Sequence, residues 1–151
     1  MTETDYMKEA ITEAKKALDF DEIPVGALVV KDGEIIGRGF NRRDADNSPF
    51  AHAEMLAIKE ASDKLNSWRL DNCTLYVTLE PCPMCAGAVV QCRIKKLVYG
   101  AKDAKAGAAG TLYNIPKDPR FTHNCIVTSG VMETECKKLL SDFFKGRRTY
   151  K

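Results

Sequence analysis

Three residues of the chain have side chains that bind soft metal ions, and their spacing suits one site. His52 stands at the start of a predicted helix, and Cys82 and Cys85 form a C-x-x-C pair where a strand gives way to the next helix. Thiolate sulfur and neutral imidazole nitrogen suit zinc, and the free N–H groups at a helix N-terminus stabilise thiolates. Three protein ligands leave a fourth coordination position open, which is typical of catalytic zinc sites.

A carboxylate stands close to these ligands in the sequence. Glu54 follows His52 by two residues and is not itself expected to bind the metal. Zinc lowers the pKa of a bound water molecule from about 15.7 to about 7, so hydroxide exists at neutral pH if a base takes and returns the proton. These residues predict hydroxide attack on an electrophilic carbon, with Glu54 as the proton shuttle.

Two other uses of the C-x-x-C pair stay open from the residues alone. The pair could belong to a structural zinc site if a fourth ligand came from Cys73, Cys92, Cys125 or His123. Without a metal it could be a redox dithiol, although no thioredoxin-like pattern accompanies it. Glu54 alone would be an ordinary solvated acid at a helix start, and only the nearby His52 gives it significance.

Composition limits the class of protein. With 44% apolar and 29% charged residues, the chain can bury a core, and we expect a single domain over residues 1–151. Six cysteines are too few for a disulfide scaffold, and the chain starts without an apolar signal region, so we expect a cytoplasmic location. No apolar run approaches the roughly 18 residues that span a bilayer, which predicts no membrane partner.

The net charge of +2 hides an uneven distribution. Residues 1–22 hold seven acids and three bases, whereas residues 137–151 hold six bases and one acid. A basic end of this kind suits a polyanionic partner, and it equally suits a solvated helix end that the helix dipole favours.

Hydrophobic spacing predicts the elements that must hold these residues. The predicted helices cover residues 5–19 with Thr4 as the N-cap, 52–65, 84–92, and a C-terminal helix with Cys136, Leu139, Leu140, Phe143 and Phe144 on its apolar face. The predicted strands cover residues 25–31, 34–40, 74–79 and 96–100. Asp32-Gly33 is typical of a tight hairpin, and the later alternation of strand and helix predicts parallel strands, so we expect a mixed sheet with helices on both faces. Residues 106–110 are predicted to form a flexible loop.

The two-part motif resembles a known pattern. His52-Ala53-Glu54 followed by Pro81-Cys82-Pro83-Met84-Cys85 is similar to the H-x-E…P-C-x-x-C pattern of the cytidine-deaminase-like zinc deaminases. Nearly the whole chain is similar to the bacterial tRNA-specific adenosine deaminases (TadA family), in stretches that include Glu22-Ile-Pro-Val-Gly-Ala, Ser67-Trp-Arg-Leu, Gly100-Ala-Lys-Asp-Ala-Lys-Ala-Gly-Ala-Ala-Gly and Ser141-Asp-Phe-Phe-Lys-Gly-Arg-Arg. The last two stretches separate that family from relatives that act on free bases and nucleosides. The resemblance implies a three-layer α/β/α, cytidine-deaminase-like fold with a mixed sheet of about five strands.

The resemblance also implies an activity. His52, Cys82 and Cys85 would hold one Zn²⁺ per chain, and Glu54 would shuttle protons while hydroxide attacks C6 of adenine and ammonia leaves. The target would be the wobble adenosine, position 34, of a tRNA anticodon stem-loop, and the family's members are homodimers. The residues expected to contact the RNA, from the resemblance and from the basic end of the chain, are Asn41, Asp103, Phe144, Arg147 and Arg148.

Alternatives to this function remain. Pro83 stands where the tRNA enzymes often have an aliphatic residue, and Phe50 stands where Thr is common, so either residue could alter the pocket wall. A deaminase of a free base or nucleoside, such as guanine, cytosine or cytidine, would use the same chemistry. A non-catalytic, zinc-stabilised RNA-binding domain is the alternative of another class. Asn41 could simply cap a loop, and Asp103 could be a turn residue.

Overall fold

The computed structural model describes residues 1–148, except for the side chain of Arg148, and contains a mixed five-stranded sheet. The strands are β1 (Gly26–Lys31), β2 (Glu34–Phe40), β3 (Cys73–Leu79), β4 (Lys96–Ala101) and β5 (Ile126–Thr128), in the order β2-β1-β3-β4-β5. β1 is antiparallel to β2 and β3, whereas β3, β4 and β5 are parallel. The predicted mixed sheet is confirmed. The sequence does not locate β5, because three residues are too few to show a period.

Helices cover both faces of the sheet. They are α1 (Glu3–Lys16), α2 (Ala53–Leu65), α3 (Pro83–Gln91) and α4 (Glu133–Arg148). Alternate residues of a strand point to opposite faces, so Leu28 packs with α1 residues whereas its neighbour Val29 packs with α2 and α3 residues. The predicted three-layer α/β/α fold is therefore confirmed. Within residues 1–148, no helix has both the length and the apolar character needed to cross a bilayer.

The first helix differs from its prediction at both ends. Thr2, not Thr4, is the N-cap, because its hydroxyl accepts a hydrogen bond from the N–H of Asp5 while the Asp5 carboxylate accepts one from the N–H of Thr2. The α-helix ends at Lys16, and a 3₁₀ helix over Ala17–Phe20 follows. Leu18 follows Tyr6, Ala10 and Ala14 at helical spacing, which predicts that it lies on the apolar face of this helix; it lies instead in the 3₁₀ turn and is 43% exposed.

Close packing of α2 on the β1–β2 hairpin fixes the position of the predicted site. The hairpin has the predicted turn, with Asp32 and Gly33 at φ values of +51° and +76°. A Cβ atom on Gly37 of β2 would lie 2.2 Å from the carbonyl oxygen of Ala57, and one on Gly39 would lie 2.4 Å from that of Ala53. The glycines therefore let the helix backbone lie directly on the strand. This contact sets the position of the first turn of α2, which carries Glu54.

Candidate active site

The starts of α2 and α3 bring the three predicted metal ligands together. His52 is the N-cap residue of α2, Cys82 is that of α3, and Pro83 begins α3 with the backbone angle that a first helical residue needs. Nδ1 of His52 lies 3.7 Å from Sγ of Cys82 and 3.6 Å from Sγ of Cys85. The three donor atoms lie within 4.8 Å of one another, and the described residues contain no other His, Cys, Asp or Glu group of this kind. This group could hold a metal ion.

The other cysteines and His123 lie elsewhere. Cys73, Cys92, Cys125 and Cys136 are buried among apolar residues. Burial raises the pKa of Cys92 to about 11 and that of Cys125 to about 12, so these thiols stay protonated. Nε2 of His123 lies 2.7 Å from the carbonyl oxygen of Ile94. Within residues 1–148 none of these side chains joins the three-ligand group, so a structural site with a fourth ligand of this kind is not supported.

The surroundings of the two cysteines shift their pKa values in opposite directions. A hydrogen bond from Cys85, aided by one from His52, lowers the pKa of Cys82 to about 4. The hydrogen bond to the Cys82 sulfur and burial raise the pKa of Cys85. Cys82 therefore ionises more readily than Cys85. A cation bound between the two sulfur atoms would stabilise both as thiolates.

Glu54 is buried beside this group, with 4% of its surface exposed. Burial, aided by the negative charge of Cys82, raises the pKa of Glu54 to about 7 against the opposing effects of a backbone hydrogen bond and the charge of His52. A carboxyl group with a pKa near neutrality can both accept and return a proton at physiological pH. Glu54 therefore has the properties that the predicted shuttle requires.

A small cavity opens onto these residues. Its volume is about 190 Å³, and its walls include Ile23, Val25, Asn41, Arg43, His52, Glu54, Leu79, Glu80, Cys82, Asp103 and Ala106. Because pockets for drug-sized ligands typically measure about 300–1,000 Å³, this one suits a flat group the size of a nucleobase. Asn41 and Asp103, the residues predicted to contact the substrate, are among the lining residues. Phe50 and Pro83 do not, so neither departure from the family pattern alters the cavity wall.

Asn41 and Asp103 also have the structural roles that the sequence left open. The side-chain amide of Asn41 donates to the carbonyl oxygen of Ile23 at 3.2 Å, and its oxygen accepts from the N–H of Arg43 at 3.2 Å. Oδ1 of Asp103 accepts from the N–H groups of Lys105 and Ala106 at 2.9 and 3.1 Å. Each side chain thus orders its own loop while facing the cavity.

Phe144 and Arg147 lie outside the cavity, in an adjoining cleft of about 220 Å³ that shares Ile23, Asn41 and Arg43 with it. The Arg147 guanidinium donates to the carbonyl oxygen of Asp21 at 2.6 Å, pairs with the Asp21 carboxylate at 2.8 Å and lies over the Phe143 ring. Phe144 is 44% exposed. The side chain of Arg148 is outside the described residues. The basic end of α4 is thus tied to the segment before β1.

Sequence reasoning did not single out two buried acids and one arginine. Glu22 accepts hydrogen bonds from the N–H groups of Asp44 and Ala45 at 3.0 and 2.9 Å and so holds the loop that carries Arg43. Burial alone would raise the pKa of Glu80, but hydrogen bonds from residues 103–111 outweigh this effect and lower it. The sequence signal for Glu80 is an acid between an apolar strand and the Pro-Cys motif, whereas Arg43 has no signal.

Known proteins resemble this chain over most of its length. The sequence model of the MafB19-like deaminase family matches residues 1–148. The tRNA-specific adenosine deaminase of Bacillus subtilis (strain 168) is 56% identical over 146 residues, which cover 97% of this chain and 91% of that relative. The chain belongs to the TadA family of tRNA-specific adenosine deaminases. It is therefore an enzyme of the deaminase class, and the alternative of a non-catalytic RNA-binding domain is not supported.

Two solved structures show how this TadA-family fold is shared. A structure from a study of A-to-I editing by tRNA:A34 deaminases at the wobble position superposes with a TM-score of 0.87 at 42% identity, covering 91% of this chain and 99% of that one. A guanine deaminase from Bacillus subtilis superposes with a TM-score of 0.66, also at 42% identity, covering 74% of this chain and 71% of that one. The tRNA deaminase thus matches more of the chain and more closely.

Proposed function

We propose that the protein hydrolyses the C6 amino group of adenosine at wobble position 34 of a tRNA anticodon, giving inosine and ammonia. The observation that carries this proposal is a buried Glu54 beside the His52, Cys82 and Cys85 donor group, at a cavity of one-base size. The names of the most similar relatives support tRNA adenosine as the substrate. A tRNA substrate also agrees with the expected cytoplasmic location.

The donor group fits zinc in spacing as well as in chemistry. In tetrahedral zinc sites with Zn–S near 2.3 Å and Zn–N near 2.0–2.1 Å, sulfur and nitrogen lie about 3.6 Å apart. Nδ1 of His52 lies 3.7 and 3.6 Å from the two sulfur atoms. We therefore propose that His52, Cys82 and Cys85 hold one Zn²⁺. When bound, zinc would lower the pKa of a water molecule to about 7 and so supply the nucleophile.

The part of the reaction that belongs to the chain itself is proton transfer by Glu54. Its carboxylate takes a proton from the attacking water as the water oxygen bonds to C6 and the C6–N1 double bond opens, and the carboxyl gives this proton to N1. The carboxylate then takes the remaining hydroxyl proton and gives it to the amino group, so that the C–N bond breaks, C6=O forms and ammonia leaves. Burial keeps the Glu54 carboxyl away from bulk water, which retains the proton in the site between the two steps.

The cavity size also restricts how RNA can bind. The cavity suits a single base, so the target must leave its stack, and an anticodon loop offers bases that are already partly unstacked. Asn41 and Asp103 are proposed to contact the target nucleotide. Phe144 and Arg147 line the adjoining cleft, where a neighbouring nucleotide could lie, and Arg148 would add positive charge.

Arg43 is proposed to contact a phosphate group, and its replacement by glutamine should weaken RNA binding in a salt-dependent way. Arg43 lines both the cavity and the cleft, and its guanidinium forms no ion pair within residues 1–147. The association constant K falls as salt concentration rises, and losing one phosphate contact should make the slope of log K against log salt concentration less steep by about 0.7–0.9. Fluorescence anisotropy with a labelled stem-loop would measure this slope.

Arg120→Gln is the matched control for Arg43→Gln. Arg120 is an exposed arginine that pairs with Asp118 at 2.6 Å and does not line the cavity or the cleft. Arg120→Gln should leave the slope of log K against log salt concentration unchanged. Equal slopes for the wild type and Arg43→Gln would exclude the phosphate contact.

We also propose that the protein acts as a homodimer, as the family resemblance implies. Phe50 and Trp68 lie before and after α2, and Leu112 and Tyr113 lie in the loop that follows β4; all four apolar side chains are more than half exposed. A dimer contact would remove such apolar surface from water, which is favourable. Light scattering should give twice the chain mass of 16.8 kDa, and a value equal to one chain mass would contradict the dimer.

A substrate panel tests the proposed function against its alternative. The zinc-loaded protein is incubated with an anticodon stem-loop bearing A34 and, separately, with free adenosine, cytidine, cytosine and guanine, and released ammonia is measured. We expect ammonia from the stem-loop at a rate at least about 100-fold above that from any free compound, because the adjoining cleft and Arg43 can act only on a longer RNA. Release from guanine but not from the stem-loop would favour a free-base deaminase.

A further inference from the structure

The buried carboxylate of Glu80 binds four donors of a single loop. Only 2% of its surface is exposed. Oε1 accepts hydrogen bonds from the N–H of Asp103 at 3.1 Å and from the Thr111 hydroxyl. Oε2 accepts from the N–H groups of Ala109 and Thr111, both at 3.0 Å. Within residues 1–147, no lysine, arginine or histidine donates to this carboxylate, so loop donors take the place of a counter-ion.

The loop backbone at Gly107 lies directly against the Glu80 carboxylate. A Cβ atom on Gly107 would lie 2.5 Å from Oε1 of Glu80 and 2.5 Å from the carbonyl oxygen of Asp103. Only glycine fits between the two. Gly107, Ala108 and Ala109 are buried, so the middle of the predicted 106–110 loop packs against the protein interior. The carboxylate beneath the loop accounts for this packing, and the loop sequence alone does not reveal it.

Glu80 connects the two sides of the cavity. On one side it is followed by Pro81 and Cys82, so it adjoins the proposed metal-binding segment in the chain. On the other side it holds the loop that supplies Asp103 to the cavity wall. The N–H of Ala108 also donates to the carbonyl oxygen of Pro81 at 2.9 Å, which reinforces the same connection. The distance between the wall at Asp103 and the proposed metal ligands thus depends on these contacts.

We propose that Glu80 is a positioning residue for the deamination reaction, which holds the 102–111 loop so that Asp103 meets the target nucleotide beside the metal ligands. Its oxygens are fully occupied by loop donors and so cannot take part in proton transfer. Glu80 acts on substrate binding through the loop, whereas Glu54 acts on the chemical step. The expected effect of Glu80 on KM rests on the proposed function. The expected effect of Glu80 on the order of the 102–111 loop rests on the hydrogen bonds alone.

The test is Glu80→Gln in the zinc-loaded protein. Glutamine keeps the volume but replaces one acceptor oxygen with an NH₂ donor, so at least one loop N–H loses its acceptor. Hydrogen exchange of the Asp103, Ala109 and Thr111 amides should become at least about 10-fold faster, while zinc content stays at one per chain. Unchanged exchange of these amides would overturn the positioning role, whatever the substrate.

Kinetics with the A34 stem-loop give the second readout. If the loop is ordered in only a fraction of molecules, apparent affinity falls by that fraction, but saturating substrate selects the ordered form. We expect KM to rise about 10-fold and kcat to change less than about 3-fold. Glu13→Gln is the matched control, because Glu13 is a buried glutamate of α1 that does not line the cavity, and its KM should stay at the wild-type value. An unchanged KM in Glu80→Gln would contradict the inference.

Two further variants keep the proposal testable if Glu80→Gln fails to fold. Thr111→Val retains the Glu80 carboxylate and removes one of its donors, so KM should rise by about 2- to 4-fold. Asp103→Asn combined with Thr111→Val should raise KM no further than Asp103→Asn alone, because Thr111 and Glu80 are proposed to act only through the Asp103 contact that Asp103→Asn already impairs. If the increase in KM of the double variant equalled the product of the two single increases, Thr111 and Glu80 would act independently of Asp103. If the wild type does not deaminate the stem-loop, the proposed function fails, and the exchange data still decide the loop contact.

Discussion

Replacing Glu54 with alanine is expected to lower kcat for the A34 stem-loop by about 10³- to 10⁴-fold, because general acid–base catalysis by one positioned group contributes up to this much. The same carboxyl takes a proton from the attacking water and gives one to the leaving amino group, so its loss affects both steps. Zinc content should remain one per chain, since Glu54 does not belong to the donor group of His52, Cys82 and Cys85. Single-turnover assays and elemental analysis of the metal would measure the two quantities separately.

Two controls accompany the Glu54 variant. Glu54→Gln keeps the side-chain volume and should be nearly as inactive, which separates loss of the carboxylate from creation of a cavity. Glu60→Ala removes an exposed glutamate from the same helix and should leave kcat within about 2-fold of the wild type. If Glu54→Ala still formed inosine at a rate near that of the wild type, the proton-shuttle role would be wrong.

Replacing Cys85 with alanine should have the largest effect on stability. The residue is fully buried, and its sulfur is one of only three proposed protein ligands. Metal sites that couple to folding can contribute about 10–16 kcal/mol of apparent binding free energy, so losing the ion should lower the free energy of unfolding by about 4 kcal/mol or more. Urea titrations of zinc-loaded protein, with the metal measured in parallel, would detect the change.

A chelator and a second cysteine variant make this result specific to the metal. Cys92→Ala removes another buried thiol, one that lies in the apolar core outside the donor group, and should cost only about 1 kcal/mol with zinc retained. A strong chelator should destabilise the wild type and Cys92→Ala, and should have no further effect on Cys85→Ala. Retention of one zinc per chain by Cys85→Ala would contradict the proposed ligand set.

The sequence could predict those parts of the site in which each residue belongs to a short motif. His52 and Glu54 lie in one turn, and Cys82 and Cys85 lie in the next βα unit, so each pair keeps its local spacing in the fold. Periodic spacing likewise located four helices and four strands to within a few residues. The capping box at Thr2 shifted the start of α1, and the change to a 3₁₀ turn exposed Leu18.

The remaining parts of the site depend on contacts between segments far apart in the chain. The Glu22 carboxylate accepts hydrogen bonds from backbone N–H groups 22 and 23 residues away in the sequence. The Glu80 carboxylate accepts them from backbone N–H groups 23 to 31 residues away. Backbone donors have no side-chain identity, so no sequence pattern marks the loops that these carboxylates bind. Arg43 was missed for a related reason. Its significance lies in its position between the cavity and the cleft, which only the folded chain defines.

The most direct measurement is the site of inosine formation in one RNA. An anticodon stem-loop with adenosine at position 34 and a second adenosine elsewhere in the loop is incubated with the zinc-loaded protein, and inosine is mapped by mass spectrometry of the digested RNA. The proposed function predicts nearly complete conversion at position 34, one ammonia released per inosine formed, and no conversion at the second adenosine. Absence of inosine, or equal conversion of both adenosines, would contradict wobble-specific deamination.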